Sequence, residues 1–370
     1  MRETKGIEIA KRHDLIRVRD DYYHVKSQTT NREYDVILVN GKWSCNCADH
    51  IFRHVCCKHI HAVEFSIKLR QEVREKNKVV IQPIIIDSCL FCKSKEIKKY
   101  GIRHNKNYDI QRYVCQACHK TFSINIGFEK MKHDPKGITT AMQLYFSGES
   151  LRNVSKSLKL LGMDVTHQTV YNWIKKYTGL MEKYLENIVP QVGDAWRADE
   201  VFIKVNGNLK YVFALMDDET RYLIAHEVAD RKEGHDASTL FKKGKQVAQT
   251  KPKVLITDGL KSYGEAYRKE FWEMNRQKRT LHIEHIRLSG DMNNNKMERL
   301  NGEIRDREKT MRGLKKIDTP ILKGYEIYHN YIRSHSALEG KTPSEACGVE
   351  IKGDNKWRTL IERACLTQSS

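Results

Sequence analysis

The stretch WRADEVFIKVNGNLKYVFALMDDETRYLIAHEVAD, residues 196–230, decides the fold. Its apolar residues do not follow a helical period, and Asn206-Gly207 and Asp217 to Thr220 supply hairpin turns, so three antiparallel strands are expected. Downstream the pattern changes. GHDASTLFKKGKQV (234–247) reads as a helix, KVLITD (253–258) as a strand, KSYGEAYRKEF (261–271) as a helix and TLHIEHIRL (280–288) as a strand, followed by the long helix NNNKMERLNGEIRDREKTMRG (293–313).

Three hairpin-linked strands followed by two strands joined through helices is the order of an RNase H-like sheet. The expected class is therefore α/β, with a mixed five-stranded sheet and helices. In that order the first and fourth strands are neighbours, which brings Asp199 near Asp258. The last helix crosses the sheet with Glu298 one turn past its asparagine-rich start, and Asn294, Asn301, Gly302 and Arg305 share that face. Two carboxylates from adjacent strands and one from a helix can hold two hard cations through oxygen alone. Such a pair activates a water or a 3′ hydroxyl and stabilises the leaving oxygen in phosphodiester displacement. Each acid also has a plain reading: Asp199 in a turn, Asp258 as a helix cap, Glu298 paired with Arg305. Glu200 and Glu303 are the nearest rivals, but Glu200 should point to the opposite sheet face and Glu303 is rotated away from Glu298.

Upstream lie clustered cysteines. The chain has ten, and eight fall before residue 120. Cys45-x-Cys47 and Cys57-x-His59 offer three thiolates and an imidazole, a closed tetrahedral set for zinc. YHVKSQ and EYDVILVNGKW read as a hairpin before it, and CKHIHAVEFSIKLR as a helix after it. That order resembles the SWIM zinc finger, with Cys56, His50, His54 and His61 as substitutes for a ligand. A second set, Cys89-x-x-Cys92 and Cys115-x-x-Cys118 with Tyr113 and Phe122 around it, has the spacing of a zinc ribbon. Four protein ligands leave no open position, so both sites are expected to be structural.

Residues 136–178 carry three helical patterns, with Ser150 and Thr166 where N-caps belong. As a helix-turn-helix, the segment would leave His167, Gln168, Tyr171, Asn172 and Lys175 free to enter a major groove. The composition agrees. Against 47 acidic residues stand 66 Lys and Arg, a formal charge of +19, which favours a polyanionic partner. The N-terminus MRETKGIEIAKRHDLIRVRDD lacks the apolar core of a secretory signal, and no stretch approaches the roughly 20 apolar residues of a membrane span. A soluble, intracellular protein is expected.

WRADEVFIKVNG, LITDGLKSY, NNNKMERLNGEIRDREK and YHNYIRSHSALEGKTPSEACG resemble, in order, the four blocks of DDE transposases from small prokaryotic insertion sequences. The resemblance implies a metal triad of Asp199, Asp258 and Glu298, holding Mg²⁺ or Mn²⁺, with Arg305 near DNA phosphate. Asn330, Arg333, His335 and Pro343 would belong to the segment closing the core. It also implies double-stranded DNA partners, the element's terminal repeats and the target, and a homodimer or higher assembly. The SWIM-like finger departs from the shortest members. The expected organisation is a finger at 1–70, a linker at 71–86, a ribbon at 87–128, a helix-turn-helix at 136–180, a catalytic domain at 190–345 and a tail at 346–370. The rival reading is a zinc-dependent DNA-binding regulator on a non-catalytic core.

Overall fold

The computed structural model describes residues 1–12, 15–28, 32–85, 87–105, 108–123, 125–275, 278–284, 295–311 and 320–368. The chain opens with α1 (Arg2–Lys11) and an antiparallel meander of β1 (Leu15–Arg19), β2 (Tyr22–Lys26), β3 (Glu33–Val39) and β4 (Lys42–Cys45). After it come α2 (Ala48–Arg53), α3 (Lys58–Lys76) and the short β5 (Val79–Ile81). A three-stranded ribbon follows, β6 (Ile97–His104), β7 (Asp109–Cys115) and β8 (Thr121–Ser123). Helices α4 (Pro135–Ser147), α5 (Leu151–Leu160) and α6 (His167–Leu185) begin where Asp134, Ser150 and Thr166 accept hydrogen bonds from first-turn N–H groups.

The large sheet uses β9 (Ala195–Val205), β10 (Asn208–Asp217) and β11 (Leu223–Ala229). Helix α7 (Gly234–Ala248) leads to β12 (Val254–Thr257), α8 (Lys261–Glu270) to β13 (Leu281–Glu284), and α9 (Asn295–Met311) comes next. The strand expected over 280–288 and the start of the helix expected from 293, including Asn294, lie partly outside the described residues. The chain closes with α10 (Pro320–Ile327), α11 (Pro343–Ala346), β14 (Val349–Ile351) and α12 (Lys356–Gln368).

These elements form two compact units, Met1–Val79 with Val189–Arg305 and His335–Gly348, and Val80–Ile188 with Asp306–Ser334 and Val349–Ser370. In the first, the sheet order is β11-β10-β9-β12-β13, with β9 parallel to β12 and antiparallel to β10. This is an RNase H-like sheet. Trp196, Phe213, Phe241, Tyr263 and Phe271 interlock in edge-to-face and stacked pairs between the sheet and helices α7 and α8. Each such buried ring contributes on the order of 2 kcal/mol.

The same unit contains the N-terminal meander, which is joined to the sheet. Ile16 of β1 packs against Ala195, Val254, Ile256 and Ile283. Beside it Arg17, only 2% exposed, reaches Asp218 at 3.6 Å and Glu219 at 3.8 Å in the β10–β11 turn. Arg70 and Arg74 of α3 add ion pairs to Glu219 at 3.9 and 2.5 Å, and Arg70 also meets Asp194 at 3.1 Å.

In the second unit, α6 is the central helix, touching α4, α5, α10 and α12. Residues 346–370, set apart as a tail by sequence, include α12, whose Trp357, Leu360, Ile361 and Ala364 are buried. Trp357 donates to Gln143 of α4 at 2.9 Å. Among the described residues, no helix is long and apolar enough to cross a membrane.

Candidate active site

The register of two strands places the two aspartates. Ile256 of β12 stands beside Arg197 of β9, so two residues on, Asp258 stands level with Asp199. Strand β12 ends at Thr257, and Gly259 then takes φ +85°, a left-handed turn that glycine adopts without strain. Asp258 does make the bond of a plain turn, accepting from Leu260 N–H at 3.1 Å. It also joins Asp199 and Glu200 in a group whose ligand oxygens lie within 4.8 Å of one another.

Burial chiefly, with Glu200 and Asp258 as like charges, pushes the Asp199 carboxyl up to about 7. Neutral donors oppose that rise. Glu200 N–H donates to Asp199 Oδ1 at 2.9 Å and the Asn301 amide to Oδ2 at 2.9 Å. The carboxyls here repel one another, and a divalent cation would relieve the repulsion.

Glu200 shows where face alternation alone misleads. Its side chain goes to the α8 side of the strand, where Tyr263 hydroxyl donates to Oε2 at 3.1 Å and Lys232 pairs with Oε1. A three-bond side chain at the end of the paired region still brings an oxygen close to Asp199 and Asp258. The signal available in sequence was the Asp199-Glu200 pair itself, with Tyr263 five residues after Asp258.

Helix α9 is anchored by Asn301, 5% exposed and bonded to Asp199. Glu298 lies one turn earlier in the first turn of α9 and is exposed; it is not part of the close oxygen group. Arg305, one turn beyond Asn301, is also exposed. Lys296 fixes the start of the helix, donating to Asp218 Oδ1 at 3.0 Å.

Residues 193–335 match a family model described as a DDE domain. The chain is 30% identical over 123 residues to the transposase for insertion sequence-like element IS431mec of Staphylococcus aureus, covering 33% of this chain and 54% of the relative. The same figures hold for the S. aureus transposase for insertion sequence element IS257 in transposon Tn4003. The chain thus spans about half the length of these relatives. The insertion element iso-IS1N protein InsA of Shigella dysenteriae is 29% identical over 84 residues, 23% of this chain and 87% of that protein. Among solved structures, the HTLV-2 integrase catalytic core domain in complex with magnesium, in its trimeric form, is 16% identical with a TM-score of 0.32, covering 43% of this chain and 98% of that one.

Outside residues 193–335 the structure gathers both cysteine sets. Cys45, Cys47, Cys57 and His59 are buried with ligand atoms within 4.8 Å of one another, and Cys45 and Cys57 sulfurs lie 3.7 and 3.8 Å from His59 Nδ1. A hydrogen bond from Cys45 chiefly, helped by His59, holds the Cys57 thiol far below its ordinary value. Cys89, Cys92, Cys115 and Cys118 form a second group, with Cys89–Cys118 sulfurs at 3.6 Å and Cys92–Cys115 at 3.5 Å. Of the proposed ligand substitutes, His50 bonds Val55 carbonyl at 2.8 Å, and Cys56 and His61 sit together apart from the finger's set. On α6, His167, Gln168, Asn172 and Lys175 are exposed and Tyr171 half-buried, while Val170, Trp173 and Ile174 face inward.

Proposed function

We propose that this protein is a transposase that cuts DNA at the ends of an insertion element and joins the freed 3′ ends to target DNA. The observation that carries the reading is the level placement of Asp199 and Asp258 on adjacent parallel strands, with α9 tied to Asp199 through Asn301. The DDE match over 193–335 and the similarity to two staphylococcal transposases support it.

The donors are carboxylate oxygens, which suit Mg²⁺ or Mn²⁺. Bound there, a pair of such ions would supply activation of water or a 3′ hydroxyl and stabilisation of the leaving oxygen. Asp199 and Asp258 hold the site, and Asn301 fixes the rotamer of Asp199. Glu298, on the Asn301 face of α9, would be the third carboxylate holding the metal pair. Arg305 lies along the same helix, where its guanidinium meets phosphate. Both oxygens of Glu200 are engaged by Lys232 and Tyr263, so Glu200 braces β9 against α8 rather than binding metal.

Zinc in the Cys45, Cys47, Cys57, His59 set and in the Cys89, Cys92, Cys115, Cys118 set would stabilise the two small modules by linking metal affinity to folding. The ribbon and the α4–α6 helices, with His167, Gln168, Tyr171, Asn172 and Lys175, would read the terminal repeats in double-stranded DNA. Joining two ends calls for at least a dimer. The site of action would be the nucleoid in the cytoplasm.

The test is strand joining by Asp258→Ala with purified protein, Mg²⁺ and DNA carrying the element ends. Binding is expected to persist and joining to disappear. Unchanged joining would reject the triad and leave the regulator reading.

A further inference from the structure

The finger sequence CCKHIH alternates its ligand-type residues across the start of α3. Cys57 and His59 turn inward to Cys45 and Cys47, and Cys56 and His61 are left on the outer side. One helical turn on from His61, Glu64 shares its face. Cys56 Sγ is 3.8 Å from His61 Nδ1, and Glu64 Oε2 is 3.6 Å from the same nitrogen. All three ligand atoms lie within 4.8 Å of one another.

We propose that Cys56, His61 and Glu64 form a further metal site that takes zinc and keeps one coordination position open to solvent. The spacing is that of a coordination shell. Tetrahedral zinc with Zn–S about 2.3 Å and Zn–N or Zn–O about 2.1 Å puts sulfur about 3.6 Å from nitrogen, and nitrogen about 3.4 Å from oxygen. The Cys56–His61 and His61–Glu64 edges are within a few tenths of an ångström of these, and the first matches the 3.7 and 3.8 Å sulfur–nitrogen edges of the buried set. One thiolate, one imidazole and one carboxylate select a borderline-soft ion over magnesium or calcium. Three ligands are the number found where zinc keeps a water or exogenous ligand.

The surroundings keep the trio open on one side. Gly6 of α1 sits so close to α3 that an added Cβ would fall 2.7 Å from His61 Cβ and 2.8 Å from Lys58 carbonyl. This close approach brings the start of α1 across from the trio, beside an open cleft of about 550 Å³ lined by Met1, Arg2, Asp49, Arg53, Cys56 and His61. Asp49 is occupied by Arg2 at 2.8 Å and Arg53 at 3.1 Å, so the fourth position goes to a small ligand from solvent, and the two guanidiniums favour an anionic one.

The experiment is a Co²⁺ titration of the full chain, following thiolate-to-cobalt absorption, beside wild-type-level circular dichroism. Three equivalents per chain are expected, the third at least tenfold weaker than the others. Cys56→Ser, His61→Asn and Glu64→Gln should each lose or weaken only that third equivalent. A parallel readout is alkylation of Cys56, which Zn²⁺ should slow at least tenfold in the wild type and not in His61→Asn. Two equivalents in the wild type, or a third that survives Cys56→Ser, would overturn the site. Loss of the tight finger equivalent in His61→Asn would assign these residues to the buried set instead.

Discussion

One sheet carries two acidic clusters with opposite electrostatic fates. In the β10–β11 turn, Asp218 is fully buried and Glu219 half-buried, and Arg17, Arg70, Arg74, Arg197 and Lys296 converge on them, while the neighbouring Asp217, bonded by Thr220 N–H, is raised by its burial. Burial alone would raise the Asp218 and Glu219 carboxyls; the cations overcome it and hold both below the ordinary range. At Asp199 the outcome is reversed, because burial and neighbouring carboxyls win and only neutral donors oppose them. The difference separates a clasp from a site. Acids matched by arginine fasten the N-terminal meander to the core, and acids left to repel one another are the proposed metal ligands.

Substitution of Asp199 by Asn should sharpen that contrast most. Strand joining is expected to fall at least 10³-fold, roughly 4 kcal/mol of barrier, because the proposed metal ligand is lost. Thermal stability without metal should be unchanged or higher, since a repelled carboxyl is replaced by an amide. A large fall in melting temperature would show that Asp199 is held by its surroundings as Asp218 is, and the contrast would collapse.

The second expected effect is on the clasp. Arg17→Met leaves a shape that fits beside Ile16 but strips a cation from Asp218 and Glu219. Removing one partner of a buried ion pair costs about 3 kcal/mol or more. Urea unfolding measures it. The loss should extend to the finger, seen as faster zinc release from the Cys45 set, because β1 links that module to β9 and β12. Equal stability of variant and wild type would mean that the finger is joined to the core by apolar contact alone.

Much of the large sheet and its helices was legible because hairpin turns and apolar runs are local signals. The turn at Asn206-Gly207, strands β9 to β12 and the caps of α5 and α6 all follow from residues close in sequence. The cysteine sets were legible by spacing, since two ligands two or three residues apart constrain one another. What stayed hidden depends on distant partners. LIRVR, residues 15–19, looks like a charged surface segment, and only the remote Asp218 and Glu219 make Arg17 a core residue. The finger therefore read as a separate module. Glu200 was discounted by strand alternation, which says which face a side chain leaves from but not how far three rotatable bonds carry its oxygens. Cys56 and His61 were seen only as substitutes within one set, because sequence gives no sign of which side of α3 each occupies.

The smallest effect, and the most discriminating, is in the pH dependence of stability. Asp218 and Glu219 have carboxyls lowered by folding, so their stabilisation is present above the unfolded value of about 4 and is lost as pH falls through the folded values. Asp199 works the other way. Its carboxyl is raised to about 7, so its contribution is full below about pH 4 and is lost as pH climbs toward 7. Metal-free protein should thus show an acid limb below pH 4 and a shallow decline from about 4 to 7. Asp199→Asn should lessen the decline, leaving the part that belongs to the buried Asp217, and should leave the acid limb, while Arg17→Met should soften the limb. Millimolar Mg²⁺ should reverse the decline, since a cation competes with the proton for the same oxygens and binds better as pH rises. If the decline were as steep in Asp199→Asn as in the wild type, Asp217 alone would be its source, and the two clusters would not be opposites in the way their geometry indicates.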